Sequence, residues 1–220
     1  MEKKIFNLLI LDESGSMQSI SKEAIAGYNQ IIQTIKDAEV KYPNQKQHIT
    51  LVTFNSNGIK TVFDRLPIAQ IVEFETRYYN PNFGTPLWDA VGESVNNLVA
   101  HLKEEKDYAV LVSILTDGYE NASQKYTALH IRQLIELLSK DGWTFSYIGT
   151  DHDVYKVAEE MSIPKGNAIY FEKGQFEKEA SQRIAKSMNK FSKAVFWEKY
   201  KGGLNDIFKD EEDHLIDDTK

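Results

Sequence analysis

The stretch Leu11-Asp12-Glu13-Ser14-Gly15-Ser16-Met17 ends an apolar run in one carboxylate and follows it with two hydroxyls at alternate positions. Asp12 supplies negative charge, Ser14 and Ser16 supply neutral oxygen donors, and Gly15 lets the loop between them bend. Hard cations such as Mg2+ prefer oxygen donors of this kind. Two distant segments extend the set. Phe83-Gly84-Thr85-Pro86 offers a third hydroxyl just before a helical pattern, and Leu115-Thr116-Asp117-Gly118 offers a second carboxylate just after another apolar run. Three hydroxyls and two carboxylates, some acting through water, suit the octahedral, partly hydrated coordination of Mg2+ better than the larger cage of Ca2+. Mn2+ or Ca2+ would be the substitutes. Incomplete protein ligation leaves a position open for an incoming oxygen.

These residues need strands and helices to hold them. Ile5 to Leu11, Tyr108 to Leu115 and Trp143 to Ile148 are nearly continuous in apolar residues, the pattern of parallel strands covered on both faces. Helical stripes lie between them: Ile25, Tyr28, Ile31, Ile32 and Ile35, then Leu87, Val91, Val95, Leu98 and Leu102, then Leu134, Leu137 and Leu138 on a helix closed by Asp141-Gly142. A strand around His48 to Phe54 leads through Asn55-Ser56-Asn57-Gly58 into Ile59 to Phe63, which predicts a hairpin with an Asn-Gly turn and one antiparallel edge strand. A strand near Ala168 to Phe171 and a long helix from about Glu177 to Tyr200 complete the alternation.

The fold expected is a doubly wound, three-layer α/β sandwich, Rossmann-like, with a mostly parallel sheet of six strands in the order 3-2-1-4-5-6. Ligands of such sheets bind beyond the carboxyl ends of the strands, where the order reverses between strands 1 and 4. Asp12 ends strand 1 and Asp117 ends strand 4, so the two carboxylates should flank that crevice. The loop of Thr85 can hang over it.

Asp12, Ser14 and Ser16, then Thr85, then Asp117 resemble the metal-ion-dependent adhesion site of the von Willebrand factor type A domain family, by residue type and chain order at all five positions. Gly84, Pro86-Leu87, Asp89-Ala90 and Gly118 also stand where the family usually has them. The resemblance runs from about residue 4 to 172 and into the helix that follows. It implies a stand-alone bacterial-type member. Its metal would capture an acidic side chain of a partner protein, in some cases within assemblies that include AAA+ ATPases of the MoxR type. Glu13 and Glu120 depart from the pattern by adding carboxylates that would either face solvent or enrich the negative field. Phe83 stands where many members have a second glycine.

Each element also has a plainer explanation. Ser14, Ser16 or Ser19 would cap the first helix, Thr85 before Pro86 would cap the second, and Asp117-Gly118 would make a turn. Asp151-His152-Asp153 reads as a helix cap rather than a ligand cluster. The five histidines show no zinc-type spacing. A phosphohydrolase of the haloacid dehalogenase type also starts from a strand ending in Asp, but needs a second Asp two residues on as general acid and base, where this chain has Ser14. With no G-x-S-x-G elbow, Walker loop or G-x-G-x-x-G after the first strand, the chain reads as a non-enzymatic interaction module. The alternatives are a scaffold whose metal site is unused and, behind it, the Mg2+-dependent phosphohydrolase.

At 220 residues, with 41% hydrophobic and 27% charged, the chain suits one globular domain, placed at residues 1–201 with an acidic tail over 202–220. Its net charge of −7 argues against nucleic acid and anionic membrane as partners. The absence of cysteine removes disulfides, zinc thiolates and thiol nucleophiles. Lys3 and Lys4 before Ile5 to Leu11 imitate a signal peptide, but the run is short, is interrupted by Asn7 and ends at Asp12. A buried strand in a cytoplasmic protein is the expectation. The aromatic group Phe191, Phe196, Trp197 and Tyr200 is expected to pack on the sheet.

Overall fold

In β1 (Lys3–Asp12) every residue from Ile5 to Asp12 is buried. The computed structural model describes residues 2–150, 153–172, 181–196 and 203–209. β1 lies at the centre of a sheet ordered β3-β2-β1-β4-β5-β6, made with β2 (Gln45–Asn55), β3 (Gly58–Pro67), β4 (Tyr108–Thr116), β5 (Trp143–Gly149) and β6 (Ala168–Tyr170). Among the described residues only β2 and β3 pair antiparallel. This is the doubly wound α/β sandwich expected.

Alternation explains the unbroken apolar runs. Ile5, Leu9 and Leu11 face one layer, where α1 (Ser21–Lys41) contributes Ile25, Tyr28 and Ile32 and α5 (Ser181–Phe196) contributes Ile184, Met188 and Phe191. Phe6, Leu8 and Ile10 face the other, against α2 (Leu87–Leu102), α3 (Ala128–Lys140) and α4 (Val154–Glu160). Asn7, the interruption in β1, is buried with its amide donating to Gln47 Oε1 at 2.9 Å and to the His48 carbonyl at 3.2 Å.

Three local expectations change. The face that α3 buries is Ile131, Ile135 and Leu138, spaced i, i+4, i+7, while Leu137 stands exposed. The β2–β3 turn is centred on Ser56 and Asn57 rather than on Asn57-Gly58. Asn55 pairs with Gly58 across the strands, and its side-chain oxygen accepts the Asn57 N–H at 2.9 Å, so a local side-chain bond sets the turn. Residues 203–209, which fall in the expected acidic tail, are docked. Ile207 and Phe208 are buried, and Asn167 bonds to the Leu204 carbonyl and the Ile207 N–H. Ile207 and Phe208, with Leu204 partly buried beside them, anchor the segment to the core layer. The acidic run after Lys209 lies outside the described residues.

Phe191 is buried against the sheet and Phe196 packs on Tyr42 with ring centres 5.2 Å apart. Trp197 and Tyr200, and positions 177–180 and 197–200 of the long helix expected, lie outside the described residues. Among those described, no helix is long and apolar enough to cross a membrane.

Candidate metal centre

The three oxygen-bearing segments meet at the carboxyl end of the sheet, between adjacent strands β1 and β4. Asp12, the last residue of β1, is fully buried. Its Oδ1 accepts the Ser14 N–H at 2.7 Å and its Oδ2 accepts the hydroxyl of Thr116, the last residue of β4. Burial pushes its carboxyl up to about 6, aided by the nearby charge of Asp117 and resisted by the bonds from Thr116 and Ser14.

The chain of contacts then runs through hydroxyls. Ser14 Oγ lies 3.2 Å from Ser16 Oγ, and Ser16 donates to Asp117 Oδ1. Gly118 sits behind this pair. A Cβ there would lie 3.3 Å from Ser16 Oγ and 3.4 Å from Thr85 Oγ1, so the bare glycine backbone is what lets the third hydroxyl approach the others. Thr85 is buried and clamped by Asn121, which accepts its N–H at 2.8 Å and donates to its carbonyl at 3.1 Å. Asp12, Ser14, Ser16, Thr85 and Asp117 thus share one crevice.

The plainer roles are not the ones these side chains take. Ser14 precedes the 3-10 turn Gly15–Ile20 without a side-chain capping bond, and Ser19 bonds only to the Ser16 carbonyl. Pro86, not Thr85, holds the N-cap position of α2, again without a side-chain bond. Among the described residues no three His, Asp or Glu side chains gather as a metal cluster, so a cation here would rely on hydroxyls beside its two carboxylates. The donors fit a hard, partly hydrated ion: oxygen only, with two buried acids that need a counter-charge.

The two departures noted in the sequence have structural jobs. Glu13 turns away from the crevice, its carboxylate accepting the Asn80 N–H at 2.7 Å and its carbonyl accepting the Asn82 N–H at 2.9 Å. Glu120, half-buried, accepts the N–H groups of Trp88, Ala122 and Ser123 and the Ser123 hydroxyl, so its carboxylate is engaged by the loop and the start of α2. Asp89 reciprocates from the first turn of α2 by accepting the N–H groups of Gln124, Lys125 and Tyr126 at 2.8–2.9 Å. Burial alone would raise the Asp89 carboxyl, but these donors outweigh it and hold the group below the usual range. Together the two acids clasp the loop after β4 to the start of α2, which holds Thr85 beside Gly118.

Two further residues went unassigned by sequence. Thr116 lies inside a quoted motif, yet a threonine ending a strand carries no sign of its partner. Tyr79 is buried and donates its hydroxyl to the Asp12 carbonyl. Burial, with the charges of Asp12, Glu13 and Asp117, pushes its phenol well above the ordinary value. Glu75 to Asn80 reads as a polar loop, so nothing marks Tyr79 as core. Asp89 had a usable signal, an acid on an apolar helical face in a first turn.

Phe83 holds φ at 67°, a left-handed conformation that costs a non-glycine residue about 1 kcal/mol. Its carbonyl accepts the Gly15 N–H at 2.9 Å, its own N–H bonds to the Asn82 side chain, and Gly84 bonds both ways with Ser56. Asp153 caps α4 through the Lys156 N–H at 3.1 Å, as expected, whereas Asp151 and His152 lie outside the described residues.

The family model of the von Willebrand factor type A domain matches residues 8–186. Among solved structures, proximal thread matrix protein 1 from the mussel byssus aligns with a TM-score of 0.59 at 16% identity, covering 84% of this chain and 48% of that one. The von Willebrand factor domain of the type V pili tip protein Mfa5 from Porphyromonas gingivalis aligns at 0.59 and 10% identity, over 87% of this chain and 97% of that one. Manganese-loaded TRAP protein from Plasmodium vivax aligns at 0.55 and 14% identity, over 82% and 71%. The chain spans about half the length of the mussel protein it matches. A search of curated protein sequences finds no match. With the family model covering β1 through the start of α5, and the sheet order agreeing, the chain belongs to the von Willebrand factor type A domain family.

Proposed function

We propose that this protein is a metal-dependent protein–protein interaction module, in which Asp12, Ser14, Ser16, Thr85 and Asp117 hold a divalent cation, Mg2+ first, that captures a carboxylate of a partner. The observation that carries this is the placement of two buried acids and three hydroxyls in one crevice at the switch point of the sheet, tied by the bonds Thr116–Asp12, Ser14–Ser16 and Ser16–Asp117. When bound, the cation would supply a Lewis-acidic point at which a partner oxygen completes the coordination. The protein's own share is to present the Asp12 and Asp117 carboxylates in one crevice, leave room for the hydroxyls at Gly118 and keep Thr85 in place through Asn121.

The resemblance to a pili tip protein and to a manganese-loaded protein of the same fold is in keeping with this use. We read the module as non-enzymatic, because Ser14 stands where a phosphohydrolase needs a general acid and its hydroxyl is engaged with Ser16. A cytoplasmic address goes with the proposal. Cell fractionation checks that address, and an assembly containing an AAA+ ATPase is the partner class to look for first.

Affinity capture tests the function. Partners should be retained on the wild-type protein in Mg2+, released by chelator and missing on Asp12→Ala. A partner that survives both chelation and Asp12→Ala would point instead to a scaffold with an unused metal site.

A further inference from the structure

Two large aromatic side chains flank the crevice without being buried by it. Phe83 is 58% exposed and lies two residues before Thr85, in a loop where its carbonyl accepts the N–H of Gly15 between the two serines. Tyr119 is 54% exposed, two residues after Asp117, with its hydroxyl accepting the Asp153 N–H at 3.0 Å. Neither serves the core. Phe83 is the less economical of the two, because it combines a left-handed backbone, which glycine adopts freely, with a ring left largely in water. The loop is held in that conformation by hydrogen bonds on both sides, from Gly15, Asn82 and Ser56. Backbone strain kept at a site by its surroundings points to a use for the side chain displayed there.

We infer that Phe83 and Tyr119 form an apolar rim around the cation, and that the partner segment recognised carries an Asp or Glu immediately beside a bulky apolar residue. This rests on the metal-dependent reading above and narrows the class of partner. A lone carboxylate would meet only the metal and would be exchanged readily for water or free acids. An apolar neighbour packed on a pre-fixed ring adds burial at the rim at little entropic cost, since a phenyl ring has only two torsions to immobilise. Carboxylate and ring together would also fix the direction in which the partner chain crosses the site.

The experiment is a selection from a random dodecapeptide display library on the intact protein in Mg2+, eluted with chelator. The selected peptides are then measured on wild type, Phe83→Gly and Asp12→Ala. Phe83→Gly removes the ring and relieves the backbone, so it should fold and bind Mg2+ as wild type does. The expected result is enrichment of Asp or Glu adjacent to Leu, Phe, Trp or Ile, with affinity reduced about tenfold in Phe83→Gly, the loss typical of removing a well-placed aromatic anchor. Enrichment of acidic peptides with no apolar neighbour, or equal affinity for Phe83→Gly, would overturn the rim and leave the metal site standing. Peptides that bind Asp12→Ala equally well in chelator would overturn the metal reading itself. Failure to enrich any sequence would also count against the rim, since a dodecapeptide contains the whole recognition unit.

Discussion

Thr116 Oγ1 donates to Asp12 Oδ2 at 2.5 Å and accepts the Gly118 N–H at 3.1 Å, so a single hydroxyl joins the end of β4 to the end of β1 and orients both acidic loops. Thr116→Val keeps the shape and removes the bonds. It should cost about 1–3 kcal/mol, because a buried carboxylate oxygen and a backbone N–H lose their partner. It should also weaken Mg2+ binding by releasing Asp12 from its fixed orientation. Urea unfolding in chelator and Mg2+ titration would check both, and a variant unchanged in either would remove Thr116 from its positioning role.

The raised carboxyl of Asp12 gives the metal-free protein an unusual pH dependence. A folded-state value near 6 against an ordinary 3.8 means that the folded protein holds the proton more tightly than the unfolded chain. The stability this brings is complete below 3.8 and is lost as pH rises through about 6. Asp89, held low, acts in the opposite sense and only as pH falls below 3.8, so the two windows do not overlap. Urea unfolding in chelator should therefore show a loss of about 2 kcal/mol between pH 4.5 and 7 from Asp12. That loss should shrink in Asp12→Asn, and Mg2+ should reverse it at pH 7 by binding the ionised form.

The clasp between Asp89 and Glu120 predicts a structural rather than a ligand phenotype. Asp89→Ala leaves three backbone N–H groups of the loop after β4 without their acceptor and should destabilise the fold by about 3 kcal/mol. Thermal unfolding should shift down by the same margin with and without Mg2+. A shift seen only with Mg2+ would instead place Asp89 in the metal site.

Thr85→Ala separates the metal from its use. Its backbone clamp to Asn121 remains, while the hydroxyl next to Gly118 is lost. Partner capture should fall by about tenfold or more, equivalent to at least ~1.4 kcal/mol, while Mg2+ affinity falls less because the charged ligands are intact. Unchanged partner capture would refute a role for this hydroxyl.

The parts of this molecule that sequence made legible are those written in short stretches: strands as apolar runs, and Asp12, Ser14, Ser16, Thr85 and Asp117 as oxygen-bearing residues at strand ends and on a helix-leading loop. Sheet order followed from alternation of strands and helices, and the crevice from that order. What stayed hidden depends on partners far away in the chain. Glu120 accepts mainly from backbone N–H groups, which every residue type offers, so no spacing reveals its role. Tyr79 is buried beside Phe74 with its hydroxyl on the Asp12 carbonyl, a contact far along the chain that no local pattern shows. Leu137 and Leu138 look alike in sequence, and only the helix phase set by Ile131 and Ile135 decides which faces water.

Calorimetric titration of Mg2+, and then Mn2+, into the metal-stripped protein at pH 7, beside Asp12→Ala, tests the central claim most directly. Saturable one-site binding to the wild type that disappears in Asp12→Ala is the predicted result. Binding of equal strength to both proteins, or to neither, would contradict a resident cation held by these five residues.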